Sequence, residues 1–283
     1  MGLLVAQISD PHLNANGGRL YGVTDPAASL ARVVAAVNRA RPDLVLLTGD
    51  VTDDGTAAAA ERAARCLARL RAPLFAVPGN HDGRDAIRRC LGRHSDDRSD
   101  DWCAYVEDSF PLRLIALDST TEDPRTADLP ADELDWLESR LAGPRPALVF
   151  LHHPPFDTGV AWMDEMAIAD PARHRLGACL RTAGSVRAVI AGHLHRPMRG
   201  TWYGIPVLAA PSVMERLEFD GETGTGTPVL RAAAPPGFVL HRWDCRLGVL
   251  SSRMVFLDGH TESWMDSRPD PGLDAPPLAA AGE

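Results

Sequence analysis

Short apolar runs alternate with stretches of helical spacing along most of this chain, and that alternation predicts a layered α/β domain. The runs at 3–8, 44–48, 74–77, 112–117, 147–151, 187–191, 205–209, 238–243 and 249–256 read as strands. Between the first two, Asp25 can cap a helix and Pro26 fits its first turn. Leu30, Val33, Val34 and Val37 then fall on one face before Pro42 ends the run. An Ala- and Arg-rich stretch over 57–70 predicts a second helix with Asp54 as its cap. Pro130 opens another with Leu134, Leu137 and Leu141 on one face, and Asp170-Pro171 opens one carrying Leu176, Cys179 and Leu180. One-faced helices of this kind need a sheet to cover.

Segment 213–236 is rich in Gly, Thr and Pro and lacks a period, so it reads as a long loop or irregular hairpin inserted before the strand at 238. From Asp266 onward large apolar residues nearly vanish, which predicts a disordered tail over 266–283. The expected organisation is one domain over 1–265, without internal repeats.

Composition narrows the chemistry. The 283 residues are 45% apolar and 24% charged, the balance of a soluble globule, so a fibrous or wholly disordered chain is excluded. Acidic residues outnumber basic ones by 38 to 29, and the net charge of −9 argues against a broad grip on nucleic acid or on an anionic membrane. Every basic residue is Arg, which removes Schiff-base chemistry and lysine-dependent phosphate loops. The five cysteines form no C-x-x-C pair and suit a reducing compartment. The apolar run at 3–8 is too short for a signal-peptide core, and no segment approaches the roughly 18 apolar residues of a membrane span, so a cytoplasmic location is expected.

Five short signatures fall where predicted strands end, and each carries hard or borderline metal ligands. They are Asp10-Pro11-His12, Gly49-Asp50, Gly79-Asn80-His81-Asp82, His152-His153-Pro154-Pro155 and Gly192-His193-Leu194-His195. Strand exits at the carboxyl edge of an open α/β sheet are where ligands bind, because loops converge there without disturbing the core. Glycines ahead of Asp50, Asn80 and His193 allow the sharp turns such a site needs. A nitrogen and oxygen donor set without thiolate suits zinc, manganese, iron or cobalt better than calcium.

Taken in order, the five signatures resemble those of the calcineurin-like metallophosphoesterases, over roughly residues 4–257. The His152 and His193 motifs, followed by Tyr203-Gly204-Ile205-Pro206, are most similar to class III cyclic nucleotide phosphodiesterases and their glycerophosphodiesterase relatives. The resemblance implies a four-layer α-β-β-α sandwich. It also implies that Asp10, His12, Asp50 and His195 hold one metal ion and that Asp50, Asn80, His152 and His193 hold a second, with Asp50 shared. His81 would face the phosphate as the catalytic residue, with Asp82 orienting it. The cofactors implied are two divalent or mixed-valence ions of iron, manganese, zinc or cobalt. The expected activity is hydrolysis of a small phosphodiester, a 3',5'-cyclic nucleotide or a glycerophosphodiester, by attack of a metal-bridging hydroxide on phosphorus. Two dications, two carboxylates and one hydroxide leave a charge of about +1, which permits a phosphodiester monoanion.

Other readings compete at each position. An isolated Asp-x-His pair is more often a turn cap, and Asn80 can occupy a left-handed turn; five ordered motifs reverse those odds. Adjacent strand residues face opposite ways, so one of His152 and His153 coordinates, and resemblance selects His152. His94, His174, His241 and His260 lack motif context and read as exposed or hydrogen-bonded. Asp118 reads equally as a support for the ligands or as a turn cap. Trp162, Met163 and Met166 read as core rather than pocket lining, and Arg196 and Arg199 as phosphate contacts or solvated charges with equal weight. The alternative function is a phosphomonoesterase, including a protein phosphatase, or a nuclease. No Arg precedes Gly79, unlike in protein serine/threonine phosphatases, and the acidic charge disfavours a nuclease. A noncatalytic scaffold is disfavoured because no ligand position is vacant. Segment 213–236 is the expected contributor to substrate selection or to a homodimer contact.

Overall fold

Parallel strands cannot be joined by tight turns, so each pair needs a crossover, and the first half of the chain supplies one helix per crossover. In the computed structural model, which describes residues 2–91, 103–159, 161–214, 216–220, 229–258 and 261–264, the chain begins β1 (Gly2–Ile8), α1 (Pro26–Ala40), β2 (Leu44–Thr48), α2 (Ala57–Leu67), β3 (Leu74–Val77), α3 (Arg84–Leu91). It continues β4 (Tyr105–Glu107), β5 (Arg113–Ala116), α4 (Ala131–Arg140), β6 (Ala147–Phe150), α5 (Ala161–Asp164), α6 (Asp170–Ala183) and β7 (Val186–Ala191). The last elements are strands: β8 (Met198–Trp202), β9 (Ile205–Ala209), β10 (Arg216–Asp220), β11 (Val229–Ala234), β12 (Gly237–Asp244), β13 (Val249–Phe256) and β14 (Thr261–Trp264).

Two six-stranded mixed sheets result, ordered β14-β13-β12-β1-β2-β3 and β4-β5-β6-β7-β9-β8. In the first, β1, β2 and β3 are parallel and β12 runs antiparallel beside β1; in the second, β5, β6, β7 and β9 are parallel. The sheets face one another through an apolar layer that includes Val5, Leu46 and Trp243 from one side and Leu114, Phe150 and Ile190 from the other. Helices α1 and α2 cover the outer face of the first sheet through Leu30, Val33, Val37 and Ala63, and α4 and α6 cover the second through Leu134, Leu137, Leu176 and Leu180. Those four layers are the expected α-β-β-α sandwich. Strands β2 and β6 are buried at every position, on both faces, which is why the runs at 44–48 and 147–151 show no polar alternation.

Local signals explain the helix starts. The Asp25 carboxylate accepts a hydrogen bond from the Ala28 amide at 3.0 Å, with Pro26 in the first turn. The second helix corrects the sequence reading: its cap is Thr56, whose hydroxyl accepts from the Ala59 amide, and Asp54 instead binds the Thr56 amide and hydroxyl. The carboxylate braces the cap from one step away. Segment 213–236 contains an antiparallel pair, β10 with β11, whose register shifts at Arg216/Leu217. The 266–283 tail, His94 and His260 lie outside the described residues.

Candidate metal centre

The strand exits converge through main-chain bonds before any side chain is considered. Beyond β1 and β2 the loops stay zipped: the Asp10 amide donates to the Gly49 carbonyl, His12 to Asp50 and Leu13 to Val51. In the other sheet, the Gly192 amide donates to the His152 carbonyl, and the His193 amide crosses to Asp10 Oδ1 at 3.0 Å. Turning this sharply forces left-handed backbone at Asp10, His12, Asp50, His193 and His195, with φ between 46° and 70°. Such conformations cost roughly 1–3 kcal/mol each and persist where the surroundings dictate them. Gly49, at φ 90°, admits the His152 ring so closely that a β-carbon there would lie 2.4 Å from Nδ1.

Two donor clusters form, sharing Asp50. Asp10, His12, Asp50 and His195 make the first: His12 Nε2 lies 3.0 Å from His195 Nε2 and 3.4 Å from Asp50 Oδ2, and His195 Nε2 lies 3.6 Å from Asp10 Oδ1. In the second, His152 Nε2 lies 3.0 Å from Asn80 Oδ1, 3.4 Å from Asp50 Oδ1 and 3.2 Å from His193 Nδ1. Metal–donor bonds of about 2.0–2.2 Å place neighbouring donors roughly 3.0–3.5 Å apart, and these separations match. The buried Asp10 Oδ2 has no hydrogen-bond partner among the described residues, an arrangement that suits a carboxylate awaiting a cation. All seven predicted ligands therefore meet at one rim. His153 is also fully buried and groups with His152 and His193, but its Nδ1 is engaged by the Ser119 hydroxyl at 2.9 Å.

The electrostatics report the same crowding. Burial works against the Asp50 charge, but the adjacent His152 and His12 imidazoles outweigh it and hold the carboxyl well below its usual range. Burial lifts Asp10 to about 6 against the pull of His152. His152 is raised to about 9, since Asp50 and Asp10 overcome the cost of burying its cation, while burial and the neighbouring His152 push His193 down to about 3. A proton on His152 thus occupies the place between carboxylates that a cation would take.

Supporting residues fix which nitrogen faces inward. Thr48 carbonyl oxygen lies 2.8 Å from His152 Nδ1, and Asp53 Oδ1 makes an ion-pair contact of 3.3 Å with His12 Nδ1, so Nε2 is the nitrogen of each ring that faces the centre. Asp53 has no place in the sequence reading of the site; its position three residues after Asp50 in a strand-exit loop was the available signal. His81 donates its amide to Asp50 Oδ1 at 3.0 Å, and its Nδ1 lies 3.0 Å from the Asp53 carbonyl oxygen. Asp82 does not orient His81: its carboxylate accepts from the Val51, Thr52 and Gly79 amides and the Thr52 hydroxyl, locking two strand exits together. Asp118 is consumed by Arg84, Cys103 and Thr120. His174 bonds the Tyr203 hydroxyl, Arg196 and Arg199 are exposed, and the side chain of Trp162 lies outside the described residues.

The molecule is thus a two-sheet α/β protein whose strand exits gather His, Asp and Asn donors able to bind a dinuclear metal centre. The sequence pattern of the calcineurin-like phosphoesterases matches residues 3–197, and the chain belongs to that family. It is 30% identical over 245 residues to a probable glycerophosphodiester phosphodiesterase of Arcobacter nitrofigilis, covering 85% of this chain and 89% of that one. It is 36% identical over 221 residues to a probable cyclic nucleotide phosphodiesterase of Rhodopseudomonas palustris, covering 75% and 79%. A dimetal phosphatase from Danio rerio shares the fold, with a TM-score of 0.64 at 20% identity over 92% of this chain and 95% of that one. No helix among the described residues is long and apolar enough to cross a membrane.

Proposed function

We propose that this protein hydrolyses small phosphodiesters, a 3',5'-cyclic nucleotide or a glycerophosphodiester, at a dinuclear metal centre within a catalytic domain spanning 1–265. One observation carries the reading: the two carboxylate oxygens of Asp50 face opposite ways, Oδ2 toward His12 and Oδ1 toward His152, each at 3.4 Å. A single carboxylate shared in this manner lets two cations sit close together, because its negative charge lies between them. Asp10, His12, Asp50 and His195 would hold one ion, and Asp50, Asn80, His152 and His193 the other. When bound, the pair supplies a water of lowered pKa and positive charge for the phosphoryl oxygens.

The chain's own residues do the rest. Asp10 and Asp50 are the only carboxylates among the seven ligands, so two dications retain a positive excess that attracts a phosphate diester. Asp53, through its main-chain carbonyl, directs the His81 imidazole, which is half-buried at the rim and stands where it can protonate a leaving alkoxide or bind a phosphoryl oxygen. His152 is selected over His153 because its Nε2 meets both Asn80 and Asp50.

The test compares turnover of cyclic AMP, glycerophosphoethanolamine and a phosphomonoester by the manganese-loaded protein. A diester hydrolysed fastest supports the reading. A monoester hydrolysed fastest moves the protein to the phosphomonoesterases.

A further inference from the structure

The layer between the sheets is apolar over most of its depth, but it turns polar directly beneath the metal centre. Gln7, Ser9, Thr48 and His241 are each fully buried there, with Ser252 nearly so. They come from β1, the β1 exit, β2, β12 and β13, and they form one connected chain. Ser252 Oγ lies 2.8 Å from His241 Nδ1, and His241 Nε2 lies 3.1 Å from Gln7 Oε1. The Gln7 amide nitrogen donates to Thr48 Oγ1 at 3.0 Å and, across the sheet interface, to the Ala191 carbonyl at 2.9 Å. Thr48 Oγ1 lies 2.7 Å from Ser9 Oγ, whose own proton reaches the Thr48 carbonyl at 3.2 Å. That same carbonyl receives the Nδ1 proton of His152.

The direction of each bond follows from one constraint. Ala191 offers only a carbonyl, so the nitrogen end of the Gln7 amide must face it and the oxygen end must face His241. His241 must then carry its proton on Nε2, and Nδ1 accepts from the Ser252 hydroxyl. Burial alone pushes the His241 imidazole down to about 3, so it stays neutral and keeps this single tautomer. Placement in the chain shows what the arrangement grips. Gln7 stands three residues before Asp10, Thr48 two before Asp50, and Ala191 two before His193.

We propose that Gln7 and His241 are positioning residues of the metal centre: His241 orients the Gln7 amide, which ties the ends of β1, β2 and β7 into one register. Through Thr48 the same chain sets the ring of His152. The inference rests on the metal assignment proposed above. It reaches into β12, a strand beyond the segment that the family pattern covers. Without His241 the Gln7 oxygen loses its donor, the amide is free to flip, and an oxygen then faces the Ala191 carbonyl.

The test titrates Mn(II) into chelator-stripped full-length protein by calorimetry, with thermal unfolding of the stripped protein measured in parallel. His241→Leu and Gln7→Leu should weaken manganese binding by roughly 10- to 100-fold, the range for residues that support metal ligands. His241→Gln, which keeps a donor for the Gln7 oxygen, should restore affinity to within about threefold of wild type on the same scale. The double variant should bind no more weakly than Gln7→Leu alone, because both act on one chain. A purely structural role would lower the unfolding temperature and leave the affinity of the folded protein unchanged, and that result overturns the proposal. So does a His241→Gln variant as weak as His241→Leu, a comparison that stands even if Gln7→Leu does not fold. Wild-type protein that takes up no manganese overturns the parent reading and this one together, whereas wild-type uptake with unaltered variants overturns this one alone.

Discussion

On one side of Asp50, Asp10, His12 and His195 add a second carboxylate and approach the surface through His195, whose side chain is 24% exposed. On the other, Asn80, His152 and His193 add no carboxylate, and both histidines are buried. The braces differ in kind as well. His12 is steadied by the Asp53 carboxylate, and His152 by the Thr48 carbonyl at the end of a neutral chain. More negative charge favours a tighter hold on a dication, while burial favours fixed geometry. The first cluster is therefore the stronger cation trap and the second the more rigid frame. Stepwise removal of metal by a chelator should empty the second before the first.

The largest effect belongs to the residue the clusters share. Asp50→Ala should release both metal equivalents and reduce hydrolysis of bis(p-nitrophenyl) phosphate to below about 0.1% of wild type. Metal content by elemental analysis and a steady-state assay check this; retention of both ions with wild-type turnover would falsify the shared-ligand arrangement. His81 sharpens the contrast next, since its ring packs against His12 with centroids 4.9 Å apart and groups with His12 and Asp53. His81→Ala should slow the diester reaction roughly 10²- to 10⁴-fold with both metals still bound. Loss of an ion would instead make His81 a ligand of the first cluster. Asp53→Asn comes third: it should weaken manganese binding at the first cluster about 10- to 100-fold and spare the second. Equal weakening of both would erase the distinction between their braces.

The legible and illegible parts of this site differ for a physical reason. The proposed ligands sit at strand exits, so they follow apolar runs within a few residues, and Gly49, Gly79 and Gly192 mark the turns. Local sequence carries all of that. The supports act across the fold: Gln7 and His241 are 234 positions apart, and His152 is 104 from the carbonyl that holds it. No period or motif encodes such pairings. The same limit applies to the architecture. Strands β1, β2, β3, β6 and β7 announced themselves by composition, whereas β4 has three residues, β8 alternates little and shows mostly exposed positions, and α3 buries only Ala86 and Ile87. The Thr56 cap was missed because Asp54, the stronger capping type, stands two residues away and is spent on holding Thr56 itself.

Acid separates the two braces by the smallest margin. His241 is neutral in the folded protein, with a pKa near 3, and titrates near 6.5 when unfolded. Its folded pKa is depressed, so the unfolded chain takes up a proton that the native chain refuses, and stability falls as pH drops below 6.5 toward 3. At pH 5.5 the loss from this group alone is about 1.4 kcal/mol relative to neutral pH. His241→Gln removes the titration while keeping the donor to Gln7. Urea unfolding of the chelator-stripped proteins should therefore show the variant less sensitive to acid than wild type by about that amount between pH 7.5 and 5.5. The site histidines titrate in both proteins and cancel from the difference. Parallel pH curves would mean that the buried chain accepts a proton at His241 in the native state, and the single tautomer on which the Gln7 orientation depends would be lost with it.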